Sequence, residues 1–221
     1  MIVPVLNEAV ALPELLMMLR SLPVDEVVLV DGGSQDATVE LLQRSGFVWL
    51  VAAGGRAGQM NAGAARCRSD TLLFLHADTC ISSSNIAHLR TTLADVGIQS
   101  GRFDLQLSGN RWQFRLISTM INLRSRLTKV ASGDQALFVR RSLFVRLGGF
   151  PDLPLMEDIA LSRRLKRIGG VVCLRDRVIT SSRRWSQGGV VRTILLMWAL
   201  RLGFYAGVPS HRLAGWYRQV R

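Results

Sequence analysis

Residues 27–38 read VVLVDGGSQDAT. A β-branched apolar run delivers Asp31 to the carboxyl end of a strand. Two glycines then permit a tight turn with close approach of a ligand, and Ser34 or Asp36 can cap the helix that follows. The same residues would equally serve a plain capped turn, because Asp and Ser favour turns as readily as ligands.

The pattern repeats on both sides of this stretch. Strands are expected at Ile2–Val5, 26–31, Val48–Val51 and 71–75, with helix-like spacing of apolar residues at 12–20, 38–44 and 59–66 between them. Such alternation predicts an α/β fold whose central sheet is mostly parallel and covered by helices. Two strands end in polar turns, DGGSQD at 31–36 and HAD at 76–78. Those ends are where α/β sheets usually place ligands.

Composition narrows the partners. With 28 Lys and Arg against 16 acidic residues in 221, the net charge of +12 favours something anionic: phosphate, acidic lipid or nucleic acid. Cys67, Cys80 and Cys173 stand far apart in an odd number, which reads as reduced thiols in a cytosolic setting. The opening Met-Ile-Val-Pro-Val reads as a buried strand rather than a signal peptide, so secretion is not expected. The most apolar late segment, 193–208, is interrupted by Arg201 and falls short of the ~20 residues that span a bilayer.

Three further motifs carry chemistry. GGRAGQMNAGA at 54–64 could bring backbone N–H groups to a diphosphate beside Arg56, or let a helix pack closely. It is neither a Walker loop nor a GxGxxG fingerprint. In TLLFLHADT, His76 and Asp78 leave one face of an extended strand and could hold Mg²⁺ or Mn²⁺; a structural histidine and a turn cap are the alternative. In PDLPLMED at 151–158, Glu157 and Asp158 open a helix, where acidic residues are favoured in any case.

Taken in order, IVPVLNE, VDGGSQD, GRAGQMNAGA, FLHAD, SGDQALFVRR, GGFPDLPLMED and SSRRW resemble the family 2 glycosyltransferases over about residues 1–190. They are most similar to small bacterial members with VDGGS and HAD motifs, a group that includes carotenoid-acid glycosyltransferases. The resemblance implies a GT-A fold: a catalytic unit over 1–188, with a nucleotide-binding half at about 1–80 and an acceptor half at 98–188, followed by a basic, apolar helical tail at 189–221. It implies an inverting transferase that moves a sugar from a nucleotide-diphosphate donor, UDP favoured, to a hydroxyl or carboxylate of a hydrophobic or lipid-linked acceptor.

By the same resemblance Pro4, Asn7, Glu8, Asp31, Asp36, Arg56 and Asp78 serve the donor. Asp78 falls on the last aspartate of the DxD metal motif, with His76 in place of the first, and the metal is Mg²⁺ or Mn²⁺. Asp134 and Gln135 stand near the transferred sugar, with a buried polar turn as the alternative. Asp158 is the catalytic base beside Glu157, since an acceptor hydroxyl must lose its proton as it attacks. Arg184 and Trp185 match the end of a QxxRW motif whose glutamine is Ser181 here, which argues against processive polymerisation.

Between metal motif and base, residues 109–129 interleave Trp, Phe and Leu with Arg111, Arg115, Arg124, Arg126 and Lys129. This pattern and the tail describe amphipathic helices able to cover an acceptor site or to rest on the inner, anionic face of the cell membrane. An ordinary solvated basic face gives the same pattern. A nucleotidyltransferase would carry a Gly-rich basic loop after the first strand, where LNEAVAL stands instead. No helix-turn-helix, zinc or RNA-recognition signature accompanies the charge, so nucleic acid is not expected as a partner.

Overall fold

The computed structural model describes residues 1–219; Val220 and Arg221, the end of the expected tail, lie outside the described residues. The chain runs β1 (Ile2–Val5), α1 (Leu12–Ser21), β2 (Val28–Asp31), α2 (Thr38–Gln43), β3 (Val48–Val51), α3 (Gly55–Arg66), β4 (Thr71–Leu73), β5 (Thr79–Cys80) and α4 (Ser83–Leu93). The second half continues with β6 (Ser100–Leu107), α5 (Trp112–Thr128), a 3-10 turn (Gly133–Gln135), β7 (Phe138–Arg140), α6 (Arg141–Arg146) and α7 (Glu157–Ile168). It closes with β8 (Val171–Thr180), α8 (Arg183–Gly188), α9 (Val190–Tyr205) and α10 (Ser210–Gln219).

In the first half β1, β2 and β3 pair in parallel, with Val28 opposite both Ile2 and Val48. The first two strands are buried along their whole length, as the unbroken apolar runs require. The second half adds strands in the order β4-β7-β6-β8-β5. There β6 and β8 run parallel while β7 and β5 pair antiparallel with their neighbours. Ile2 bridges Phe74, and the Leu75 N–H donates to the Ile2 carbonyl (3.0 Å), which joins the two sheets. The chain therefore leaves β1, β2 and the β4 extension at one common edge.

Helix α3 begins at Gly55, four residues ahead of the sequence expectation, because close packing overrides the low helix propensity of its glycines. At Gly63 an added Cβ would lie 2.5 Å from Ile2 and 2.9 Å from Val30, so only glycine lets this helix sit on the strands. Buried Gln59 donates from one amide nitrogen to the carbonyls of Val5 (2.8 Å) and Val30 (2.7 Å). It clamps the ends of β1 and β2 side by side.

Strand β6 is anchored to α5 by charge. Asp104 pairs with Arg102 and Arg126, and the Asn122 amide spans the Leu105 N–H and carbonyl (both 2.9 Å). At the other end, Val130, Met156, Ile159, Leu200 and Leu213 form a small apolar cluster that holds α9 and α10 against α7. The described part of the tail is thus folded back over the segment that carries Asp158.

Candidate active site

The loops after β1 and β2 are laced together. The Asn7 N–H donates to Ser34 Oγ (2.8 Å) and the Gln35 N–H to Asn7 Oδ1 (2.8 Å); the Glu8 N–H donates to Thr38 Oγ1 (2.9 Å) and the Ala9 N–H to Asp36 Oδ2 (3.1 Å). Asn7 adopts a left-handed backbone (φ 53°), which asparagine tolerates better than most residues. Hydrogen bonding, led by Thr38, holds the Asp36 carboxyl below its ordinary value. Asp31 is buried: its Oδ2 accepts the N–H groups of Gly33 (2.9 Å) and Ser34 (3.0 Å), and its Oδ1 accepts the Ser34 hydroxyl (2.5 Å). The hydrogen bonds of 31–36 are those of a tight turn, with both Asp31 oxygens engaged within the loop. Pro4 departs from expectation. It lies buried within β1 opposite Val30, so its ring packs in the sheet and does not line the pocket.

Beyond this edge, four segments converge on one cluster. The His76 Nδ1–H donates to Asp134 Oδ1 (3.1 Å), and the Gly133 N–H donates to Asp158 Oδ2 (2.5 Å). Asp158 Oδ1 accepts the Ile159 N–H (2.7 Å), and Arg56 lies 3.8 Å from Glu157. Gly133 is fixed by contact as well: a Cβ there would stand 2.3 Å from the His76 ring. Met156, just before the two carboxylates, is held left-handed (φ 70°), a strained conformation for a side chain that its burial among apolar neighbours maintains. Asn61 fixes the approach to this segment, accepting the Phe150 N–H and donating to the Phe150 carbonyl (both 2.9 Å).

Electrostatics follow from this crowding. Glu157 is buried, and its burial together with the charge of Asp158 raises its pKa, against the pull of Arg56. Asp134 sits deep in the cleft yet is reached by water. Burial would raise its carboxyl, but the hydrogen bond and charge of His76, then Arg184 and Arg56, bring it down to about 2. Arg56 is exposed beside these carboxylates. What burial it has is outweighed by Glu157, Asp134 and Asp158, which raise its pKa.

A hard cation needs oxygen ligands. Asp78 fits: it is exposed, and among the described residues its carboxylate receives only a long hydrogen bond from its neighbour Thr79 (3.4 Å). His76 is arranged differently from the expected second ligand. It is buried, its Nδ1 is taken by Asp134, and the rest of the ring abuts Gly133. Among the described residues no three His, Cys, Asp or Glu side chains gather as a metal site. The donor set therefore suits a cation whose remaining ligands come from a bound diphosphate and water.

One acceptor-side expectation, that for Gln135, is corrected. Gln135 is fully buried: it bonds Ser125 Oγ (2.9 Å) and accepts the Ser132 N–H (3.1 Å), so its side chain builds the turn and cannot touch an acceptor. Trp185 packs against the main core. Arg184 is exposed, with its guanidinium 4.7 Å from the centre of the Tyr217 ring. Two residues to which sequence reasoning gave no place in the site, Arg124 of α5 and Arg201 of α9, come under the influence of the Asp158 charge. Their signal was faint, a basic residue on the inward side of each amphipathic helix.

The family model described as Glycosyl transferase family 2 matches residues 1–144. The chain belongs to glycosyl transferase family 2. Among solved structures, TarS of S. aureus superposes with a TM-score of 0.65 at 20% identity, covering 83% of this chain and 60% of that one. Glucosyl-3-phosphoglycerate synthase from Mycobacterium tuberculosis, solved with Mn²⁺, UDP-glucose and phosphoglyceric acid, superposes with a TM-score of 0.59 at 19% identity, over 80% and 68% of the two chains. These likenesses establish the GT-A fold. A curated relative, the undecaprenyl-phosphate 4-deoxy-4-formamido-L-arabinose transferase of Pseudomonas syringae pv. syringae, is 32% identical over 158 residues, which is 63% of this chain and 45% of the relative. The family 2 chain thus spans about half the length of the curated relatives it matches.

Proposed function

We propose that the protein is an inverting glycosyltransferase that moves a sugar from a nucleotide-diphosphate donor to an acceptor held over Asp158. The observation that carries this reading is the convergence of Asp158, Glu157, Asp134, His76 and Arg56 beside the edge where β1 and β2 end. The interlaced loops with Asn7, Glu8, Asp31 and Asp36 form the donor side, as family membership leads one to expect. TarS has been solved with UDP-GlcNAc and the mycobacterial synthase with UDP-glucose, which supports UDP as the nucleotide.

An acceptor hydroxyl attacks the anomeric carbon from the face opposite the leaving group, its proton passes to an Asp158 carboxylate oxygen, and the nucleoside diphosphate departs. Two N–H donors fix that carboxylate, from Gly133 and from Ile159. Arg56 and Arg184 place positive charge where the diphosphate develops its own. Mg²⁺ or Mn²⁺ held by Asp78 would supply further charge there when bound. Calorimetric titration with UDP and with GDP, in Mn²⁺ and then in EDTA, tests the donor reading. Micromolar, metal-dependent binding of UDP is expected; no nucleotide binding under any condition would remove it.

The acceptor in this reading is hydrophobic: a carotenoid acid, a polyprenyl phosphate or a diacylglycerol. One side of α5 exposes Trp112, Leu116, Met120, Leu123 and Leu127, and one side of α9 exposes Val191, Leu195, Trp198, Leu202 and Tyr205. Such stripes exceed what a solvated helix needs, and the flanking Arg111, Arg115 and Arg192 complement acidic headgroups. Among the described residues no helix is long and apolar enough to cross a membrane. Peripheral contact with the anionic inner leaflet is the reading these faces support. Vesicles containing phosphatidylglycerol should co-sediment the protein, and Trp112→Ser with Trp198→Ser should release it; equal pelleting of the double variant would count against these faces.

A further inference from the structure

The acceptor side holds positive charge that the described residues leave unanswered. Arg124 Nη1 donates to the Val130 carbonyl (3.2 Å), while its Nε and Nη2 are buried and have no hydrogen-bond partner among the described residues. Enclosed, unpaired guanidinium donors are costly and uncommon. A second guanidinium, that of Arg201, adds to the cost. Burial first and then the charge of Arg201 bring the Arg124 pKa down to about 10, with Asp158 opposing. Burial likewise lowers Arg201, against the charges of Asp158, Tyr205 and Asp134.

The other basic side chains of the region have answers. Arg56 faces Glu157, Arg126 pairs with Asp104, and Arg184 covers Tyr217. Asp158, whose two oxygens each accept a backbone N–H, carries a single negative charge against the two remaining guanidinium charges.

We propose that Arg124 and Arg201 form an oxyanion subsite for the acidic head of the acceptor, a phosphate above all, beside Asp158. The proposal rests on the reading of Asp158 as the acceptor base, and it selects among the acceptors named above. Acids and phosphates are taken; neutral diacylglycerol is not. Two guanidinium forks match a phosphate in both charge and geometry, and an anion between them removes their mutual repulsion. Arg201 lies on α9, outside the residues that the family model matches.

Geranyl phosphate, geraniol and inorganic phosphate serve as probes, titrated calorimetrically into the full chain with and without UDP and Mg²⁺. Nucleotide loading fills the diphosphate positions near Arg56 and Arg184. Wild type should bind geranyl phosphate at least about tenfold more tightly than geraniol, and in Arg124→Gln and Arg201→Gln the preference should fall to within about twofold. Inorganic phosphate binding as well as geranyl phosphate points to a soluble phosphate ester, and geranyl phosphate alone to a lipid phosphate; both uphold the subsite. Equal affinity for geraniol and geranyl phosphate in wild type, or an unchanged preference in Arg201→Gln, overturns it. Thermal melts identify a variant that fails to fold, and Arg201→Gln carries the test if Arg124→Gln is lost. Failure of UDP to bind wild type would count against the donor reading alone, since the phosphate titrations without UDP still report on the arginines.

Discussion

Asp158→Asn is expected to slow sugar transfer by about 10²- to 10⁴-fold while leaving UDP affinity within about threefold of wild type. Asparagine keeps the shape of the side chain and one carbonyl oxygen, enough to accept the Gly133 N–H that holds the turn. What it loses is the basic oxygen that would take the acceptor proton. The four hydrogen bonds that lace the loops after β1 and β2 do not involve Asp158, so the donor side should survive the change. Initial rates with a UDP-sugar and calorimetry with UDP, run on the same preparation, separate the two effects. Wild-type rates in the variant would remove Asp158 as the base, and parallel loss of UDP binding would make it a structural residue.

Asp78→Ala should weaken UDP binding in Mn²⁺ by about 10- to 100-fold and change little in EDTA, because the variant loses the one exposed carboxylate offered to a cation at the end of the β4 extension. His76→Ala is the informative contrast. With its Nδ1 given to Asp134 and its ring against Gly133, His76 should affect transfer and stability while leaving the metal dependence of nucleotide binding intact. If the metal dependence instead vanished in His76→Ala and persisted in Asp78→Ala, the ligand assignment would be reversed.

The first half of the fold was legible because its strands are short unbroken apolar runs, two of which, β1 and β2, are buried along their whole length. β1 and β3 fall at the residues that their apolar runs mark, and β2 ends where Asp31 interrupts its run. Helix α3 was misjudged at its start because glycine propensity is local, whereas the packing that requires Gly63 against Ile2 and Val30 is not. The same distinction divides the site. Asp78 and Asp158 could be singled out because carboxylates at strand and helix ends are conspicuous in the chain. Gln135 and Pro4 stood inside the same motifs, yet their burial is decided by segments distant in sequence, Ser125 for one and Val30 for the other. Arg124 and Arg201 could not be paired from sequence at all, since 76 intervening residues separate them and only the return of α9 over α7 brings their charges together.

The lacing of the loops after β1 and β2 bears on how such an enzyme could be altered. Four hydrogen bonds cross between them, each joining a backbone N–H on one side to a side chain on the other. A designer who grafts one loop from a homologue would leave several of those groups without partners, and the graft would fail for reasons unrelated to the sugar it was meant to admit. Natural drift faces the same coupling. The unit of exchange is the pair, residues 6–9 together with 31–38, and chimeras built on that boundary should retain a folded donor edge where single-loop chimeras do not.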